Sequence, residues 1–469
     1  MTKRYDLIVI GSGPAGHHAA IEAARLGKRV AIVDKRHAAG GECVNTGTIP
    51  SKTMREAVLH FTGYRQRLFY GSGYMVKENI TAQDLRQRTA QVVEMEISVF
   101  HSQLKRSGID IIRGRAFFLD EHHLSIEGFA ETDKIEADFI LIATGSTPAR
   151  PDSIPFDDTT VLDSESFLRI PYLPRSILIM GAGVVGVEYA CMTAALDIPT
   201  TLVDKRECML EFLDEEIVEN LRYHMREMGI TFHFGEAVSG VRKTEEGSVI
   251  AELASGKILK SDMLLFCVGR EGNTAGLCLE NAGLEADDRG RIYVNERFQT
   301  RRSNIFAAGD VIGFPSLASV SMEQGRLAAC NAMNAPASSM PHLIPYGIYT
   351  IPEISYVGLN EKQLKERDIS YGVGIARYRE IARSNIIGDT RGLLKLLFHK
   401  ETEQLLGVHV IGEGASELVH IGQAVLALGG GLNYFLQNVF NYPTLAECYK
   451  VAAMAGRNKP PTGRGGGEP

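Results

Sequence analysis

Two sets of glycines, each tied to a distant acid, are the first residues of this chain whose types and spacing suit a defined chemistry. Gly11, Gly13 and Gly16 form G-x-G-x-x-G, and Asp34 follows Gly11 by 23 residues; Gly181, Gly183 and Gly186 repeat the pattern, and Asp204 follows Gly181 by the same 23. In such a fingerprint the first glycine permits a tight turn from strand to helix. The second lets backbone approach a pyrophosphate, and the third lets the helix pack close to the strand. The pyrophosphate sits on the helix N-terminus, where free N–H groups and the helix dipole favour an anion. The acid at the end of the next strand accepts hydrogen bonds from a ribose diol. One such turn is weak evidence, since packing alone can explain it. Two copies with matched offsets point to two dinucleotide sites.

The elements that must position these residues are legible around them. YDLIVI and SILIM read as buried strands running into the glycines and then into small-residue helices; RVAIVD and PTTLVD read as the strands that end in the acids. EADFILIAT, SDMLLFCVG and IFAAGD are further strand-then-turn segments, and ATGSTPARPDSIPFDD is turn-rich. From about Tyr346 the pattern changes to strands and helices without a glycine fingerprint. The closing NKPPTGRGGGEP has a composition expected of a disordered tail. The chain has 469 residues, too many for one core, with 44% apolar and 23% charged residues and a net charge of -7. No basic face recommends nucleic acid, and no apolar run suits a membrane span. MTKRYDLIVIGSG reads as a buried strand rather than a signal peptide, which leads to the expectation of a cytoplasmic protein. Seven widely spaced cysteines without Cys-x-x-Cys argue against a disulfide framework or a zinc site, so no metal is expected.

GGECVNTGTIPSK (40–52), ATG (143–145), Glu188 after the second fingerprint and AAGD (307–310) together resemble the pyridine nucleotide–disulfide oxidoreductases, in the right order and over nearly the whole chain. The resemblance implies an α/β fold with two Rossmann-like dinucleotide-binding domains and a C-terminal α+β dimerisation domain. Residues 1–150 and 271–345 would bind FAD, 151–270 would bind NAD(P), 346–457 would form a homodimer interface, and 458–469 would be the tail. It further implies that Thr144, Gly145 and Asp310 serve the flavin, with Asp310 on the ribityl chain, and that Gly269 serves the nucleotides. Lys52 would stand near the flavin ring with Glu188 as its partner, and Thr48, in the place of the flavin-facing cysteine, completes the expected catalytic set. Two departures matter. The family's redox pair is C-x-x-x-x-C, whereas Cys43 is followed five residues later by Thr48, and a hydroxyl cannot carry electrons by thiol exchange. The family's acid–base histidine is replaced by Tyr442 in NYPTLAE, with Glu447 retained, and a tyrosine of pKa near ~10 is a poor base at neutral pH. Cys43 is then best read as a packed thiol lining the cofactor site.

With the thiol machinery absent, the remaining chemistry is hydride exchange between NADP(H) and NAD(H) by way of FAD, the two nucleotides taking turns at one site. Such a site must accept a ribose with or without a 2′-phosphate. Asp204 suits the free diol, while Lys205 and Arg206 suit the phosphate. The same DKR triplet at Asp34–Arg36, where no such choice is expected, leaves open that these cations are merely solvated. Two other readings stay open: a quinone or dye reductase of the same fold, and a flavin-binding structural subunit.

Overall fold

The computed structural model describes residues 3–458 apart from 37, 72 and 129–131. The expected disordered tail, beyond residue 458, lies outside the described residues. Two compact units share the chain: Met1–Met54, Thr81–Tyr172 and Val268–Pro341 form one, and Arg55–Ile80, Leu173–Cys267 and the segment from His342 form the other.

The first unit is built on a sheet whose parallel part runs in the order Asp110–Arg113, Val30–Asp34, Lys3–Ile10, Thr132–Ile142 and Ile305–Ala307. An antiparallel meander, His123–Glu127 and Arg115–Phe118, continues from Thr132–Ile142. Alternate residues of one strand enter different cores: Ile8 and Ile10 pack with Val33, Phe118 and Ile140, while Leu7 and Val9 pack with Ile32, Ala19 and Leu327. Both faces are therefore covered, which is why the strand reads as a continuous apolar run rather than an alternation. Helix Pro14–Arg25 lies against helix Ala318–Ala332 so closely that a Cβ at Gly325 would stand 2.0 Å from the Ala15 carbonyl oxygen.

The second unit repeats the motif. Its parallel strands run in the order Thr231–Phe234, Thr200–Asp204, Ile177–Met180, Met263–Phe266, and helix Val184–Ala195 follows the glycines and is almost wholly buried. From Tyr346 the chain forms an antiparallel sheet ordered Tyr346–Ile348, Ile354–Gly358, Leu405–Ile411, Leu393–His399, Tyr371–Arg377, packed by helices Ala415–Ala427 and Glu447–Arg457. The two sheets are pinned by Lys395, fully buried, whose Nζ donates to Asp214 Oδ1 at 2.7 Å and also meets Glu216 and Glu361. The three carboxylates have the spacing of a cation site, and the ammonium group occupies it. Burial alone would lower the Lys395 pKa, but Asp214 and Glu361 more than offset it and raise it. Among the described residues, no helix is long and apolar enough to cross a membrane.

Candidate functional site

In open parallel sheets, ligands bind beyond the carboxyl ends of the strands. In the first unit those ends are Ile10, Asp34, Ile142 and Ala307, and the residues that follow them line a cleft of about 390 Å³. Gly11, Gly13, Asp34, Cys43, Thr48, Thr144, Gly145 and Asp310 all line it. Gly16 lies just behind: a Cβ there would sit 1.9 Å from the Gly11 carbonyl oxygen, so only glycine lets the helix start this close to the strand. At Gly13 an added Cβ would find only the Gly41 Cα, at 3.8 Å, leaving the backbone open to a ligand. Gly13 caps the helix without a side-chain hydrogen bond, and Pro follows at the first position. The next amides are then available to an anion.

Asp34 is fixed by the loop it serves. Its Oδ2 accepts from the Ser12 amide at 2.8 Å and the Ser12 hydroxyl at 2.5 Å, and its Oδ1 accepts from the Arg36 amide at 2.8 Å. Asp310 accepts from the Ser146 hydroxyl at 2.9 Å. Ser146 in turn receives Nε of Arg270 at 2.9 Å, and Arg270 is paired with Glu42. Burial pushes the Glu42 carboxyl up to about 7, against the opposing pull of Arg270. Burial also raises the Cys43 thiol, although a side-chain hydrogen bond with Thr48 opposes the shift. The thiol and the hydroxyl stand at the positions of a would-be redox pair, both lining the cleft, and all seven cysteines are free. A thiol with a raised pKa is protonated at neutral pH and is a poor nucleophile.

Two donors in the cleft lack hydrogen-bond partners among the described residues: Nη1 of Arg36 and Oγ1 of Thr144, both buried. A buried polar atom without a partner is costly. Donors at the acid-bearing strand end and at the ATG turn are what a dinucleotide threaded past both would satisfy.

The second fingerprint has the same strand–turn–helix geometry. A Cβ at Gly186 would stand 1.9 Å from the Gly181 carbonyl oxygen, and nothing lies within 4 Å of one at Gly183. Asp204 accepts from the Ala182 amide at 2.6 Å and the Arg206 amide at 2.8 Å, as Asp34 does from its counterparts. Its third partner differs: the Arg206 guanidinium, through Nε at 3.0 Å and Nη2 at 2.6 Å. Burial works against the Asp204 charge, but the Arg206 side chain and the two amides hold its carboxyl below the usual range. Lys205 is exposed.

The remaining expected residues fall as follows. Lys52 lies in helix Thr48–Phe61 of the first unit, near enough to Cys43 to bear on its charge. Glu188 belongs to the second unit, buried in helix Val184–Ala195, with Oε1 accepting from the Tyr349 amide at 2.8 Å. Gly269 lies in the first unit, beside Ala149. Tyr442 is 72% exposed, so no packing holds it as a base, while Glu447 keeps a buried Oε2 without a partner among the described residues.

Residues 5–325 match the family described as pyridine nucleotide-disulphide oxidoreductase, and residues 344–453 match its dimerisation domain. The chain belongs to this family. A protein of Mycobacterium bovis named soluble pyridine nucleotide transhydrogenase is 51% identical over 97% of this chain and 98% of its own length. One of the same name from Colwellia psychrerythraea is 44% identical, with 97% and 98% covered. Among solved structures, LpdA of Mycobacterium tuberculosis superimposes with a TM-score of 0.88 at 25% identity, covering 97% of this chain and 99% of that one. The disulfide of the family's name has no counterpart here, given Thr48 and seven free cysteines.

Sequence reasoning missed Ser12, Arg36, Glu42, Ser146 and Arg270. Two carried a local signal: Glu42 immediately precedes Cys43, and Arg270 immediately follows Gly269. Their connection spans 228 residues and was visible only in the fold.

Proposed function

We propose that this chain is a flavoprotein oxidoreductase that moves hydride between NADP(H) and NAD(H) at one nucleotide site, the nucleotides alternating, with no thiol in the path. The observation that carries the reading is Thr48, five residues after Cys43: both line the cleft, Cys43 is free, and the family's electron-carrying pair has no second thiol here. Relatives 42–51% identical over nearly their full length bear the transhydrogenase name. FAD, when bound, supplies acceptance and return of hydride.

The chain's own residues hold and orient. Gly11, Gly13 and Gly16 admit the pyrophosphate of FAD to a helix N-terminus, Asp34 takes its adenosine ribose, and Thr144, Gly145 and Asp310 line its further course. Cys43 and Thr48 wall the cleft. Lys52 supplies positive charge for the reduced ring, and Glu188, held by the Tyr349 amide, is assigned to the catalytic set from the second unit. Gly181, Gly183 and Gly186 serve the nicotinamide nucleotides, and Asp204, Lys205 and Arg206 receive the adenosine ribose with or without its 2′-phosphate; Gly269, in the first unit, is assigned to cofactor binding. The match of 344–453 to a dimerisation domain supports a homodimer, and the proposed setting is the cytoplasm.

Steady-state kinetics with NADPH and a thio-analogue of NAD+ test this. Parallel double-reciprocal lines are expected, because the first product leaves before the second substrate enters. Intersecting lines would refute alternation at one site, and faster turnover with a quinone than with the analogue would replace the reading with that of a quinone reductase.

A further inference from the structure

The two fingerprints carry the same Asp-Lys-Arg triplet but use it differently. Asp34 and Asp204 each accept an amide from the glycine loop, that of Ser12 or of Ala182, and an amide from the arginine two residues on. At the first site the remaining donor is a neutral hydroxyl, Ser12 Oγ. At the second site the loop residue is Ala182, which has no hydroxyl, and the guanidinium of Arg206 takes that place, bonding both carboxylate oxygens. The hydrogen bonds that Asp34 accepts therefore all come from neutral groups, an arrangement suited to one permanent ribose diol. Asp204 presents a neutralised pair. The Arg206 side chain is 39% exposed and the Asp204 side chain 6%, so the arginine is the member free to leave.

We infer that Arg206 is an exchangeable counter-charge for Asp204, and that transfer of its guanidinium from Asp204 to a ligand phosphate is what lets one ribose site take nucleotides with and without a 2′-phosphate. The inference rests on the dual-nucleotide reading proposed above. With a free diol, the guanidinium stays on Asp204 and the carboxylate accepts from the ribose with its unused lone pairs. With a 2′-phosphate, the guanidinium turns to the dianion with the same planar fork and screens it from the carboxylate. No bond is made or broken beyond hydrogen bonds. Specificity is thus poised by the competition between one carboxylate and one phosphate for a single cation.

Calorimetric binding of 5′-AMP and 2′,5′-ADP (adenosine 2′,5′-bisphosphate) to the flavin-loaded protein reads this directly, since the two probes differ only in the 2′-phosphate and neither reacts. R206Q should weaken 2′,5′-ADP about tenfold or more and change 5′-AMP less than about threefold, with R206K restoring part of the loss. D204N should weaken 5′-AMP and tighten 2′,5′-ADP by about three- to tenfold, because the guanidinium is released to the phosphate. In D204N/R206Q the two effects on 2′,5′-ADP should fail to add, as expected of residues that compete for one partner. Unchanged or weaker 2′,5′-ADP binding in D204N, or equal losses of both probes in R206Q, overturns the exchange. If wild type binds both probes and exchanges hydride while these variants behave so, only this inference fails. If wild type does not bind 2′,5′-ADP at all, the dual-nucleotide reading fails first.

Discussion

A threonine hydroxyl beside a thiol, as Thr48 and Cys43 stand in the cleft lining, cannot store two electrons. The spacing of a redox pair survives while its chemistry is gone. Thr48→Cys should therefore form a disulfide with Cys43, seen as one titratable thiol fewer than wild type in the oxidised, denatured variant and the appearance of two on reduction; a gain of one thiol in the oxidised variant would show that the side chains do not meet. Glu42 gives a second residue-scale prediction. Its pKa, pushed up to about 7 chiefly by burial, means the folded protein holds this proton more tightly than the unfolded chain. The sign follows from linkage: the native state binds more protons between the ordinary carboxylate range and about 7, so this group's contribution falls as pH rises through that window. Relative to E42Q, wild type should lose about 1–3 °C of melting temperature between pH 4.5 and pH 7.5. A difference flat with pH would contradict the buried, proton-retaining carboxyl.

Strand, turn and helix act as one element in each fingerprint, and the glycines divide its labour. Gly186 is needed for packing, since a Cβ would stand 1.9 Å from the Gly181 carbonyl oxygen, whereas Gly183 has open space around it. Gly183→Ala should fold with a melting temperature within about 2 °C of wild type yet weaken nucleotide binding by about tenfold. Gly186→Ala should lower the melting temperature itself, by helix displacement, with the binding loss following. Equal stability of the two variants in thermal melts would refute the division. These roles were readable beforehand because a glycine fingerprint states a backbone requirement in local sequence. The Glu42–Arg270–Ser146–Asp310 chain was not, because residues 42, 146, 270 and 310 meet only once separate strands end at one cleft. The contrast between Arg36 and Arg206 lay hidden for a different reason: both triplets read alike, and the difference comes from one hydroxyl, Ser12 against Ala182, in another segment. Lys395 was equally silent, a lone lysine in an apolar strand whose three acidic partners come from two other segments.

For the whole molecule, one chain carries two copies of a nucleotide-binding element and a region matching a dimerisation domain, without the thiol pair for which its family is named. The central claim is that hydride arriving from one nicotinamide nucleotide leaves on another. Anaerobic half-reactions test it most directly. The flavin-loaded protein is bleached with one equivalent of NADPH, NADP+ is removed, and a thio-analogue of NAD+ is added with no thiol, quinone or oxygen present. The flavin absorbance should return as the reduced analogue appears in equal amount, with thiols blocked as well as free. A flavin that stays bleached, or that reoxidises without forming the reduced analogue, would contradict the claim.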